Sequence, residues 1–482
     1  MNRNTPEQQK NKSGYKVRRS NMTRREAQKK VLRPDGRSTP PADPKKRLAA
    51  RNPAPKETAK QAPATHEVPP VQKLTEHPAS VNIGTVPSAP PVKKRRAPKN
   101  DFIKPTDVVR IKGGYDTIFL VLVIILTLFG IIMDFSASYA YAFSRYGDSF
   151  YFVKRQIAFA AVGIVVMIVA MHFDYRWIRK LTIPIFLGIT ALLVIVLVYG
   201  IASGVAQRWI RLGPITIQPS EFMKFALVFM LALYIDRNQH RITNYRNFWQ
   251  SSAFGMFFPV AIVGVACVLV ALERHFSGTI ILFLIGMVVI FAGGARKGWF
   301  IGAGTAAAVV IIPAILLVPY ARERVDMWLH PENYSPTGKI WQTLQGLYAV
   351  GSGGLFGVGL GNSRQKHLYV SQPQNDFVFS IIAEELGFAG AVLVILLFML
   401  LIWRGFVIAL KAPDTFSSLV VIGLVSKVAL QALLNIAVVT NTIPNTGISL
   451  PFFSYGGTAL VTQLGEMGIV LSISRFSYQR DL

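Results

Sequence analysis

The stretch QPQNDFVFSIIAEELG, residues 372–387, sets a carboxylate, Asp376, where a polar loop gives way to an apolar run. A carboxylate there stands between water and hydrocarbon, where a base could meet a substrate with a polar head and an apolar tail. An unperturbed Asp, with a pKa of about 3.9, is ionised but weakly basic, and partial desolvation raises it toward a useful range. Position alone supports a plainer role. Asn375 and Asp376 lie where a helix would begin, and both residue types are favoured N-caps. At this stage both readings stay open.

Further groups with chemical potential lie inside apolar runs, where a charge costs several kcal/mol and usually faces a neighbouring helix or a cavity. Glu384 follows Asp376 about two helical turns deeper and on a similar side, whereas Glu385 points elsewhere. Glu221 and Lys224 are three apart, a spacing that pairs them on one face. Lys427, Gln431 and Asn435 recur every fourth residue as a polar stripe. Hydrogen bonding between helices would also account for these groups. The run GSGGLFGVGLG, Gly351 to Gly361, lacks the GK[ST] ending of a nucleotide loop. It is followed by Arg364, Gln365 and Lys366, and cations beside exposed backbone N–H groups suit a phosphate or pyrophosphate.

The elements that hold these residues are apolar stretches of the length a helix needs to cross a bilayer, about 20 residues. Ten are legible: roughly 116–137, 152–172, 180–203, 219–236, 252–273, 275–294, 298–319, 377–403, 416–441 and 455–477. The fifth and sixth run together through Glu273, Arg274 and His275, which reads as a hairpin turning at the surface. Lys and Arg collect on cytoplasmic links. The links with Arg176, Arg179 and Lys180, with Arg237, Arg241 and Arg246, with Arg296 and Lys297, and with Arg404 and Lys411 alternate along the chain. Both termini are therefore expected in the cytoplasm and the loop 320–375 outside. The expected fold class is an all-α polytopic membrane protein of about ten helices, comprising residues 114–482.

Composition agrees with a membrane protein carrying a separate tail. Hydrophobic residues make up 51% of the chain, yet the formal charge is +27. Residues 1–113 hold 27 of the 52 Lys and Arg, 9 of the 25 Asp and Glu, and 16 of the 28 prolines, so most of the excess charge is there. Such a segment has too little apolar surface to offset its conformational entropy and reads as a disordered, basic cytoplasmic tail. Its clusters Lys45-Lys46-Arg47 and Lys93-Lys94-Arg95-Arg96 lack the interleaved aromatics of single-strand binders, so attraction to anionic lipid is favoured and no nucleic-acid partner is expected. The single cysteine, Cys267, excludes a disulfide framework, and the seven His never fall at zinc-binding spacings, so no metal site is expected.

Three long segments carry a resemblance: QRWIRLGPITIQPSEFMK (Gln207 to Lys224), the stretch from Trp341 through GSGGLFGVGLGNSRQK to NDFVFSIIAEELG, and NIAVVTNTIPNTGISLPFFSYGGTAL (Asn435 to Leu460). Together they resemble the SEDS family (shape, elongation, division and sporulation) over the membrane part from about Tyr115 onward. The run LERHFSGTIILFLIGMVVIFAGG is similar to the FtsW- and SpoVE-like branch rather than the RodA-like one, with Arg274 where proline is frequent. The resemblance implies a peptidoglycan glycosyltransferase that polymerises lipid II, with Asp376 as catalytic base and inversion at the donor sugar. It makes Arg208, Arg211, Arg364 and Lys366 candidates for the leaving pyrophosphate, with Glu221 and Lys224 nearer the core of the site. Glu384, Lys427, Gln431 and Asn435 would line a polar cavity. It further implies a class B penicillin-binding protein as partner; the tail lies outside the resemblance and is expected to dock other division proteins, and a divalent cation is the one cofactor considered. A lipid II transporter and a non-catalytic division scaffold are the rival readings.

Overall fold

The computed structural model describes residues 114–476 apart from 200, 204–205, 213–214, 303, 306–316, 318, 336–337 and 339. The basic tail and the stretch 298–319, expected as the seventh span, thus fall wholly or largely outside the described residues.

Among the described residues the apolar runs are helical because backbone N–H and C=O groups in hydrocarbon can only be satisfied within the segment. Helices α1 (Thr117–Tyr146), α2 (Tyr151–His172) and α3 (Tyr175–Tyr199) come first, followed by strands β1 (Ile201–Ser203), β2 (Ala206–Leu212) and β3 (Ile215–Ile217). Next are α4 (Pro219–Ile242), α5 (Phe248–Ser252), a π-helical turn (Ala253–Phe257), α6 (Phe258–Leu272) and α7 (Phe276–Ala292). The chain continues with α8 (Pro319–Leu329), α9 (Trp341–Ser352), α10 (Val378–Leu410), α11 (Thr415–Val439) and α12 (Gly457–Ser474). Among the described residues, six helices are long and apolar enough to cross a membrane: α1, α2, α3, the continuous α5–α6 segment, α10 and α11. The buried ion pairs of α4 and α12, described below, lower the hydropathy of those two helices, and α7 is apolar but 17 residues long.

The all-α expectation needs one addition. The β-strands form a small antiparallel sheet in which Ile210 faces Ile217, Arg211 faces Thr216 and Leu212 faces Ile215. The third apolar stretch therefore ends as a helix at Tyr199, and the residues up to Ser203, counted in the expected span, are a strand. The hairpin expected at Glu273, Arg274 and His275 is present: α6 ends at Leu272, Arg274 takes φ 56°, and α7 starts at Phe276.

Charged residues fasten one end of the bundle. Asp116 caps α1 through Phe119 N at 2.9 Å and pairs with Arg404 of α10 at 2.8 Å. Arg179 of α3 pairs with Asp236 of α4 at 2.5 Å, and Tyr175 donates to Asp414 at 2.9 Å. The sheet, the α6–α7 turn, the segment before α10 and the segment before α12 meet at the other end. There Thr458 Oγ1 donates to Thr216 O at 2.9 Å, Tyr455 N donates to Gln374 O at 2.8 Å, and Ser277 Oγ donates to Thr446 O. Helix α12 is buried along most of its length, which makes it the core against which α2 and α11 lie.

The long segment between α7 and α10 is partly helical. Its glycine-rich part docks on α10 through backbone bonds from Val358 N to Glu384 O (3.0 Å), Gly359 N to Glu385 O (3.0 Å) and Phe388 N to Gly354 O (2.9 Å). Gly387, at φ 67°, interrupts the helical backbone of α10 where this happens. A Cβ added at Gly387 would stand 2.3 Å from Gly357 N, so the two strands of backbone meet with no room for a side chain.

Candidate active site

Asp376 lies two residues before α10, half-buried, and its side chain does not cap the helix. The N-cap is Phe377, with no side-chain cap bond, so the capping role open at the sequence level is not the one this carboxyl takes. What holds Asp376 is its backbone: Asn435 Nδ2 of α11 donates to Asp376 O at 2.8 Å and to Ile448 O at 2.7 Å. That one amide clamps the segment before α10 to the segment before α12. Gly447, at φ 66°, lies against the carboxyl, since a Cβ there would stand 3.2 Å from Asp376 Oδ2. Burial raises the Asp376 pKa above the usual carboxylate range, and the Arg208 guanidinium pulls it back down.

Arg208, half-buried in β2, is the cation common to the site. Its field reaches Asp376, Glu273 and His275. Arg211 lies on the same strand, paired with Thr216 through the backbone, and its side chain is outside the described residues. His275 Nδ1 sits 3.2 Å from Ser220 Oγ and 3.3 Å from Gln218 Nε2. Burial, reinforced by Lys224, holds this imidazole down to about 4, so it is neutral at physiological pH and Nδ1 accepts. Glu273 is 1% exposed and meets no hydrogen-bond partner at either carboxyl oxygen among the described residues. Burial pushes its pKa to about 8.

Below this cluster the charges are paired. Lys224 Nζ is 2.6 Å from Glu221 Oε1 on α4, and Lys427 Nζ of α11 is 2.7 Å from both carboxyl oxygens of Glu466 on α12. The four groups and His275 sense one another electrostatically, and Gln431 and Asn435 continue the buried face of α11. The polar stripe expected on α11 is therefore real. Its partner Glu466 went unremarked, although an acidic residue in the last apolar run was a signal, because a buried Lys needs a counter-charge.

Two expected site residues, Glu384 and Lys366, are placed differently. Glu384, expected in the cavity, instead accepts from Ser363 Oγ and from Arg364 N at 2.9 Å, and so holds the loop after the glycine run. Its neighbour Glu385 accepts from Ser136 Oγ at 2.7 Å and from Lys366 Nζ at 2.9 Å. Lys366 is 2% exposed and donates also to Gly361 O at 2.6 Å, so this expected rim cation is neutralised inside the fold. Arg364 remains exposed. The misplacement of Glu384 has a simple cause. Counting helical turns from Asp376 assumes the helix includes it, and the helix starts at Val378.

The arrangement is two buried or half-buried carboxyls, Asp376 and Glu273, in the field of one cation, Arg208, at one end of a helical bundle, over paired charges within it. Comparison with known proteins gives it a family. The model of the FtsW, RodA and SpoVE family, described as cell cycle protein, matches residues 116–479. Stage V sporulation protein E of Bacillus subtilis (strain 168) is 40% identical over 372 residues, 76% of this chain and 98% of that protein. The probable peptidoglycan glycosyltransferase FtsW of Trichlorobacter lovleyi is 38% identical over 362 residues, 75% of this chain and 93% of its own. Among solved structures, a chain of a peptidoglycan synthase complex that coordinates polymerization and crosslinking aligns with a TM-score of 0.63 at 27% identity, covering 76% of this chain and 99% of that one. The rod shape determining protein RodA of Thermus thermophilus aligns at 0.56 and 25% identity, covering 76% and 99%. The chain belongs to the FtsW, RodA and SpoVE family of membrane-embedded cell cycle proteins.

Proposed function

We propose that this chain polymerises lipid II into glycan strands, with Asp376 as the general base. Its relatives carry the name peptidoglycan glycosyltransferase over most of their length, and the site has the chemistry that reaction needs. The observation that carries the reading is the Asp376 carboxyl. It is raised above an ordinary Asp by burial, free of a capping role, and framed by Gly447 and by the field of Arg208. In the reaction Asp376 takes the proton from the acceptor sugar's 4-hydroxyl as that oxygen attacks the donor's anomeric carbon. The bond to the polyprenyl pyrophosphate breaks with inversion, and the leaving group carries away the electron pair. Arg208 is placed to stabilise the charge that develops there.

The Asp376 end is assigned to the outer face. This follows from the clustering of Arg176, Arg179, Arg237, Arg296 and Arg404 on links at the opposite end, which the bias of Lys and Arg toward the cytoplasm puts inside. A class B penicillin-binding protein is the proposed partner, in keeping with the structural likeness to a complex that couples polymerization to crosslinking. Similarity to the FtsW and sporulation proteins supports a place at the division septum. A transporter reading gains little from the structure, because each bundle lysine is held by its own carboxylate: Lys224 by Glu221 and Lys427 by Glu466.

The test is Asp376→Asn in the full chain purified with its partner and supplied with lipid II. Loss of glycan polymer is expected, with a normal melting profile. Polymer at the wild-type rate would remove Asp376 as the base.

A further inference from the structure

One carboxyl in the site has no task in this reaction. Glu273 closes the turn between α6 and α7, is 1% exposed, and leaves both oxygens without a partner among the described residues. An ionised carboxylate buried in this way would be costly, so the group keeps its proton. A protonated carboxyl is a hydrogen-bond donor, and here it is a donor with nothing to donate to. Buried donors without acceptors are rare, and at a site one explanation is an acceptor that arrives with the ligand.

The geometry says which ligand. Arg208 of β2 senses Glu273, His275 and Asp376 alike. The turn bearing Glu273 is tied to the Asp376 site by Ser277 Oγ, which donates to Thr446 O, next to Gly447, and to the start of α4 by His275 Nδ1, which meets Ser220 and Gln218. Among the described residues, the charged and titratable groups at this turn are Arg208 from β2, the Lys224–Glu221 pair from α4, and Arg274 and His275 within the turn. Arg208 is a natural clamp for an anionic oxygen. A carboxylate beside that anion would repel it, whereas a neutral acid would bond to it, the logic by which some enzymes keep a carboxylic acid protonated at neutral pH.

We propose that Glu273, as the neutral acid, donates a hydrogen bond to a pyrophosphate oxygen of the lipid-linked sugar held by Arg208. Glu273 is then a further substrate-binding residue, and no proton leaves it. The assignment rests on the polymerase reading above.

The experiment compares wild type, Glu273→Gln, Glu273→Ala and Asp376→Asn, each as the full chain with its partner, by initial rate of polymerisation of lipid II from about pH 6 to 9. Gln keeps a neutral donor and cannot ionise. Glu273→Gln is expected to stay within a few-fold of wild type near pH 7 and to lose the decline that wild type shows above about 8. Glu273→Ala is expected to fall about ten- to a hundredfold. Glu273→Gln falling as far as Glu273→Ala, or an alkaline limb identical in wild type and Glu273→Gln, overturns the proposal. Should Glu273→Ala fail to fold, the two pH profiles still decide. Activity surviving in Asp376→Asn would instead sink the polymerase reading, so the two failures are distinguishable.

Discussion

At the scale of single residues, Asp376 shows how burial would tune the carboxylate proposed as the base. Its raised pKa has a definite sign in activity: the ionised form works, so the rate must fall on acidification, and at a higher pH than an exposed Asp would give. The expected profile with lipid II is a bell whose acid limb belongs to Asp376, and an Asp376→Glu variant should shift that limb while lowering the rate. An acid limb unchanged in that variant would assign it to another group. The buried pair Lys427–Glu466 makes a stability prediction of its own. Removing one partner leaves an uncompensated charge in the bundle, at a cost of about 3–5 kcal/mol, and Glu466→Gln should lower the melting temperature of the detergent-solubilised protein sharply. Adding Lys427→Met to Glu466→Gln should restore part of it, and a double variant no better than the single one would refute the pairing account. Of these residues, Asp376 was legible in the sequence because it stood at a polar-to-apolar boundary. Glu273 and Glu466 were not singled out, since what marks them is the absence or presence of a partner supplied by another helix.

At the scale of elements, the glycine-rich segment and α10 behave as one unit. The backbone of residues 354–359 exchanges hydrogen bonds with α10 across the interruption at Gly387, while Lys366, Ser136 and Glu385 lock the following loop beneath it. Gly387→Ala combines a left-handed backbone with a Cβ driven 2.3 Å from Gly357 N. A loss of about 1–3 kcal/mol or more is expected, read as a lower melting temperature, with polymerisation falling because this helix follows Asp376 by two residues and anchors the segment that holds it. Unchanged stability would mean that the segment can undock freely. The helices themselves were legible from hydropathy. The sheet before α4 was not, because its strands are too short to show a convincing alternation. Glu385 does point elsewhere than Glu384, but the partner of Glu384 is the loop at Ser363 and Arg364, which helical spacing does not show.

At the scale of the molecule, charge sorts the two ends. Basic links gather at the end away from Asp376, and the sequence of residues 1–113 holds a further 27 Lys and Arg. Matches to the family start at residue 116, leaving that tail outside the shared architecture. Deleting residues 1–100 is accordingly expected to leave polymerisation by the purified complex intact while weakening recruitment to the septum, scored with a fluorescent fusion. Full recruitment of the truncated chain would remove the tail from that role. What the sequence determined by itself was the apolar solvent, most of the long helices and the carboxylate at the polar-to-apolar boundary, all of which follow from local hydropathy and charge. Only the tertiary structure decided which charges are paired inside the bundle, that Asp376 is not a cap, and that Glu273, in the field of Arg208, meets no hydrogen-bond partner among the described residues. These depend on contacts between segments distant in the chain, which a local pattern of residues does not encode.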